Sequence, residues 1–325
     1  MSLSRRAFAS TAALAATAVL LPRAVRAAYP ERPIRIIVPF PPGGALDGVA
    51  RLLSKALIDT IGATVVVDNR GGAGGIIGME AVAHAAPDGY TLLLSHNGLA
   101  AMPGLYRDLP FDPVRDFAGV VTAASGAYVL VANPRAPFRS VAELIAYAKA
   151  NPGKVTYASA GIGSTVHLAG EFFKRMAGID LLHIPYKGAA QATTDVVGGQ
   201  VDMMFAPVIA SLPLANAGQL RALAVTSAKR SAIAPDLPTV AESGVPGFEV
   251  TGWYGLAAPV ATPMPAIVRL NAEVNRALAA APFIEQLHLQ GLEPVGGPPE
   301  EARARLAAEV PRWSRIIREA GIKAQ

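Results

Sequence analysis

From residue 32 onward the chain alternates short apolar runs with stretches of helical spacing. Residues 32–40 (RPIRIIVPF) are a β-branched run closed by Pro41-Pro42-Gly43-Gly44, which predicts a buried strand ending in a turn. Leu46, Val49, Ala50, Leu53, Ala56 and Leu57 then recur at helical intervals. The same pattern predicts a strand over 64–67, a loop over 69–75, a helix over 76–85 and a strand over 90–94. It restarts with a strand at 128–131. Ser140 and Glu143 form a capping box that opens a helix, which Asn151-Pro152-Gly153 stops. A strand over 154–159, a helix over 164–176, a strand over 181–184, a helix over 189–197, and strands over 201–205 and 220–226 follow. A short strand at 251–256 precedes Pro265 at a helix start. The rest reads as helix, with a kink or break expected at Pro311.

Strands alternating with helices of about a dozen residues imply an α/β fold built on a mostly parallel sheet. Two such sets without a flexible linker suggest two lobes side by side, and 325 residues suffice for two cores. Residues 117–131 and 250–259 are apolar and extended and flank the middle block. If both cross between lobes, lobe one comprises 28–125 plus 251–325 and lobe two comprises 126–250. That is the layout of a clamp that closes on a ligand.

The first 27 residues change the reading of charge. Arg5, Arg6, Arg23 and Arg26 stand there with no acidic residue, so the formal +5 nearly vanishes in the remainder. A nucleic-acid partner would need a basic surplus or stripe, and none is evident. Arg5-Arg6, the apolar run 11–21 and Val25-Arg26-Ala27 form an export signal cleaved before Ala28, with twin arginines pointing to export in the folded state. The run is too short to span a bilayer at 1.5 Å per residue. A periplasmic location is therefore expected. With no cysteine there is no disulfide, thiolate metal site or thiol nucleophile.

Two segments carry candidate chemistry. Phe40-Pro41-Pro42-Gly43-Gly44 with Asp47 joins a strand to a helix, and helix N-termini present unpaired N–H groups and partial positive charge to anions. Asp47 reads either as a complement to the helix dipole or as an acceptor for a ligand hydroxyl or amine. Ser159-Ala160-Gly161-Ile162-Gly163-Ser164-Thr165, with His167 beyond, is a second such junction, and Ser164 is its expected N-cap. No Gly-Lys-Ser/Thr follows, so it is not a Walker A loop. A Ser164 hydroxyl given to a carboxylate would be worth about 10–150-fold in affinity. The loop over 69–75 (NRGGAGG) resembles a dinucleotide fingerprint but has Ile at position 77, and the next strand ends in Ser95-His96-Asn97 rather than in an acid. An exported α/β enzyme holding a nucleotide there is the alternative. No Gly-x-Ser-x-Gly elbow, His-Glu-x-x-His motif or metal-ligand spacing appears, so no catalytic residue, metal or cofactor is expected.

The ordered motifs Tyr29-Pro30-Glu31-Arg32-Pro33-Ile34, Val38-Pro39-Phe40-Pro41-Pro42-Gly43-Gly44, Tyr157-Ala158-Ser159-Ala160-Gly161-Ile162-Gly163-Ser164, Ile184-Pro185-Tyr186-Lys187-Gly188, Gly198-Gly199-Gln200-Val201-Asp202 and Gly252-Trp253-Tyr254-Gly255 resemble the Bug family. These are periplasmic solute-binding receptors associated with tripartite tricarboxylate transporters. The resemblance implies a two-lobe periplasmic-binding-protein fold of type II, a small carboxylate ligand between the lobes, and a membrane permease or a sensor kinase as partner. It carries ligand contacts onto Phe40, Pro42, Gly43, Gly44, Asp47, Ser95, Asn97, Ser159, Ala160, Gly163, Ser164 and His167, with Asp202 and Phe205 as weaker candidates. Two departures stand out. Gly71 occupies a usual proline position, and residues 99–103 are apolar where the family is often polar, which hints at a ligand with an apolar body.

Overall fold

The computed structural model describes residues 29–231, 233–319 and 321–322; the expected export signal over 1–27 lies outside them. In chain order the elements are β1 (Ile34–Val38), α1 (Ala45–Ile61), β2 (Val65–Asn69), a 3-10 turn (Ala73–Gly75), α2 (Ile76–Ala83), β3 (Thr91–His96) and α3 (Asn97–Leu105). The long β4 (Phe117–Ala132) leads to α4 (Val141–Ala150), β5 (Thr156–Ser159), α5 (Thr165–Ala177), β6 (Leu182–Pro185), α6 (Ala189–Gly198), β7 (Met203–Pro207), α7 (Val208–Asn216) and β8 (Arg221–Val225). The chain ends with β9 (Thr251–Pro259), α8 (Met264–Leu278), α9 (Ala281–Leu289), β10 (Glu293–Gly296) and α10 (Pro299–Glu319).

The strands form two parallel cores, β2-β1-β3 and β7-β5-β6, joined through antiparallel β9 and β4. β4 serves both. Its residues from Phe117 to Ala127 pair with β9, and those from Tyr128 to Ala132 pair with β7. The fold is thus two-lobed, and β4 runs through the junction. Thr226 stitches that junction together. Its buried hydroxyl accepts from the Tyr128 N–H at 2.8 Å and donates to the Val250 carbonyl at 2.6 Å. Strand alternation places successive residues in different cores. Ile36 packs with α1 and α8 while Ile37 packs with α2 and α3; Val129 and Leu130 divide in the same way between the faces of the other lobe. Each half-sheet is covered on both faces, as a parallel sheet requires.

The structure departs from the sequence expectation at the C-terminus. α10 runs through Pro311 without interruption. Leu306 precedes the proline and Trp313, Ile316 and Ile317 follow it, all buried in one core, so packing on both sides holds the helix in line against the lost hydrogen bond. β10, which was expected to be helical, adds antiparallel to β4. The expected capping box at α4 forms, with the Glu143 N–H donating to Ser140 Oγ at 3.1 Å.

Candidate functional site

All five crevice-facing helices follow the C-terminal ends of strands: α1 after β1, α3 after β3, α5 after β5, α6 after β6 and α7 after β7. In open α/β sheets ligands settle in the space beyond those ends. Here that space is a crevice lined from both lobes and open to solvent, whose empty space, its solvent-continuous part included, is about 630 Å³. Phe40, Pro41, Pro42, Gly44, Ala45 and Leu46 line it from one side; Ala160, Ser164, Thr165, Val166, Gly188, Ala189, Ala190 and Pro207 line it from the other. His96, Tyr128 and Tyr254 complete its wall. Among the described residues, no charged side chain lines it.

The lining therefore consists largely of N-caps and first-turn residues. Gly44, His96, Gly188 and Pro207 are the N-caps of α1, α3, α6 and α7, and none supplies a side-chain cap. The first N–H groups of a helix have no partner inside it. Each terminus also carries about half a positive charge. The crevice thus gathers positive potential and N–H donors from several helices without a cation.

The two glycine loops are braced from behind. Asp47 Oδ2 accepts from the Gly43 N–H at 3.1 Å and from Arg51 Nε at 3.0 Å, and Asn69 Nδ2 ties the Phe40 carbonyl at 3.0 Å. Burial would push the Asp47 carboxyl up, but hydrogen bonds from Arg51, Gly43 and Asn69 outweigh it and hold the carboxyl below its ordinary value. Gly43 has φ +90°, which a side chain would strain. In the second loop Ser164 Oγ donates to the Gly161 carbonyl at 2.6 Å and accepts from the His167 N–H at 3.3 Å. The Gly163 N–H donates to His167 Nδ1 at 3.2 Å. Ser159 Oγ accepts from the Gly161 N–H at 3.1 Å and sits 2.6 Å from His183 Nε2. Burial pushes His167 down to about 4 and His183 to about 3, so both rings are neutral at pH 7 and can accept.

Of the residues singled out in the sequence, Phe40, Pro42, Gly44, Ala160 and Ser164 line the crevice. Gly43, Asp47, Ser159, Gly163 and His167 form the bracing just described. Ser95 is buried at the end of β3. Three others are engaged elsewhere. Asn97 donates to the Thr251 carbonyl and accepts from the Trp253 N–H at 2.8 Å. Asp202 accepts from Thr156 N and Oγ1 at the far end of β5. Phe205 is wholly buried against Phe173 and Phe248. The sequence carries no ligand contact onto His96, Thr165, Tyr128 or Tyr254, which also line the crevice. The phenol oxygens of Tyr128 and Tyr254 lie 3.3 Å apart, and burial raises both above the ordinary tyrosine value. The loop over 69–75 lines a separate groove that shares Phe40, Pro41, Pro42 and Ala160 with the crevice.

A two-lobe α/β chain with a crevice at the strand ends, lined from both lobes, has the architecture of a solute-binding receptor. This chain belongs to the tripartite tricarboxylate transporter family receptors, whose pattern matches residues 49–322. Protein BugT of Bordetella pertussis is 42% identical over 297 residues, 91% of this chain and 91% of the relative. The structure of R. palustris Rpa4515 with adipate superposes with a TM-score of 0.87 at 38% identity, covering 91% of this chain and 100% of that one. MatC from Rhodopseudomonas palustris with bound malate gives 0.84 at 32% identity, over 89% of this chain and 100% of that one. The nucleotide-enzyme alternative finds no support here: the family is one of receptors. Among the described residues no helix is long and apolar enough to cross a membrane.

Proposed function

We propose that this protein works in the periplasm, where it captures a small carboxylic acid between its lobes and presents it to a tripartite tricarboxylate-type permease or to a sensor kinase. The lobes that close are 28–125 with 251–325, and 126–250. The ligand carboxylate faces Gly44, Ala45 and Leu46 on one side and Thr165, Val166, Ala189 and Ala190 on the other. One observation carries this reading: a crevice that both lobes line, into which helix N-termini without side-chain caps open. The carboxylates named with two structural neighbours, adipate and malate, fit it. Contacts from both lobes exist only in the closed form, so the acid favours closure through its differential affinity.

The test is a thermal-shift and calorimetric screen of mono- and dicarboxylates against nucleotides and sugars. A true ligand at a hundred times its Kd adds about 2.7 kcal/mol to stability. That is a rise of about 4 °C for a chain of this size. A screen in which no carboxylate stabilises the protein, or in which only a nucleotide does, refutes the proposal.

A further inference from the structure

The structure assigns to His96 the choice of ligand: the acid that this crevice takes carries a hydroxyl group beside its carboxylate. The inference rests on the carboxylate reading above and narrows it.

His96 ends β3, lines the crevice and is only 2% exposed, yet neither of its ring nitrogens has a hydrogen-bond partner. Buried polar groups are almost always paired, so an orphan at a cavity wall points to a partner that arrives from outside. The fold makes room for this ring. A Cβ at position 98 would stand 2.6 Å from His96 Nε2, so glycine there keeps the imidazole in place, and the Phe40 ring meets it edge to face at 5.4 Å.

A neutral imidazole has one N–H donor and one lone pair. A ligand carboxylate accepts from the N–H but has nothing to give the lone pair. The helix N-termini are also donors, so they compete for the carboxylate and leave the imidazole acceptor unmet. The missing group is a donor on the ligand. An ammonium group could donate, but among the described residues no acidic side chain lines the crevice to balance it, and the helix dipoles repel it. A hydroxyl donates without charge. Suitable company lies alongside: His96 pairs in register with Tyr254, whose phenol oxygen is 3.3 Å from that of Tyr128, and Thr165 lines the same crevice. A ligand hydroxyl extends this row to the imidazole.

Calorimetry on matched pairs tests the assignment: propionate against lactate, succinate against malate, and glutarate against 2-hydroxyglutarate. Leaving a buried acceptor unpaired costs about 5–150-fold in affinity, which is the margin expected for the hydroxylated member of the best-bound pair. His96→Leu brings the two members within about threefold by weakening the hydroxy acid. His96→Phe, whose ring can keep the contact with Phe40, gives the same reading if the leucine variant does not fold. Equal affinities in the wild type overturn the assignment while leaving the carboxylate receptor standing. So does a preference that survives both substitutions, or tighter binding of the 2-amino analogues. Absence of heat from every acid overturns both readings together.

Discussion

Ser164 tests whether the second glycine loop meets its ligand through backbone or through side chain. The hydroxyl is spent inside the loop, with its proton on the Gly161 carbonyl and a lone pair on the His167 N–H. In Ser164→Ala the helix loses its cap, at about 0.5–2 kcal/mol. The Gly161 carbonyl keeps the Ser164 N–H at 3.1 Å, so the orphaned acceptor adds little. A total of about 1–2 kcal/mol corresponds to a fall in Tm of about 2–3 °C. Affinity for a carboxylate falls by less than about tenfold, because the amides of Thr165 and Val166 still face the crevice. Ser164→Asp separates the two roles. Aspartate can keep the cap on the His167 N–H but, as an acceptor only, cannot donate to the Gly161 carbonyl, so stability recovers in part while a second negative charge enters the crevice wall. Two like charges at 4 Å repel by about 4 kcal/mol at an effective dielectric constant of 20, or about a thousandfold in affinity. Thermal denaturation and calorimetry on the two variants read both effects. If Ser164→Ala keeps its Tm while losing more than tenfold in affinity, the hydroxyl belongs to the ligand and not to the helix cap. If Ser164→Asp binds acids like the wild type, Ser164 does not border the anion.

Two further predictions follow from buried groups. His96 and His167 are nearly inaccessible, and burial holds each down at about 4, against about 6.5 in an unfolded chain. A depressed base stabilises the fold fully above the unfolded value and loses that contribution as pH falls toward about 4. Urea unfolding therefore shows stability falling by about 1.4 kcal/mol per pH unit for each histidine below pH 6.5. His167→Gln reduces this slope, and a flat profile between pH 7 and pH 5 contradicts the assignment of neutral buried rings. Glu309 Oε2 accepts from Trp253 Nε1 at 2.8 Å, Trp313 Nε1 at 3.2 Å and Asn97 Nδ2 at 3.4 Å. Glu309→Ala leaves these donors partly unpaired and costs about 1–3 kcal/mol. Tryptophan fluorescence during urea unfolding reports the loss, since both indoles of the chain touch this carboxylate. An unchanged midpoint means that α10 is held by apolar packing alone.

The parts of this molecule that were legible in its sequence are those whose local chemistry is unambiguous. β1 and β5 are apolar runs that end in glycine-containing loops, and the helices behind them have a buried and a polar face. The elements that sequence reasoning missed lack such contrast. α3 reads NGLAAMPGL, and Leu99, Ala100, Ala101 and Met102 are all fully buried, so it has no polar face to give it a period. β10 is four residues with a proline inside and exists because the edge of β4 accepts it.

The same logic divides the crevice. Its anion cradle is made of backbone, and a sequence records backbone chemistry only through the permissive residues that allow it, glycine, serine and proline. Those were visible. The side chains that select among anions depend on register instead. The sequence predicts that β3 stops at residue 94, and the family resemblance then carries contacts onto Ser95 and Asn97. The strand in fact continues to His96, so that Leu92, Leu94 and His96 share a face and Asn97 becomes the first residue of α3. Asn97 is thereby turned toward Trp253 and Glu309, while His96 stands beside Tyr254 in the crevice wall. A two-residue extension exchanges one neighbour for the other, because successive strand residues point to opposite faces. On the two readings proposed above, affinity for an acid is thus a property of loops that tolerate variation, while the choice of acid hangs on where a single strand ends.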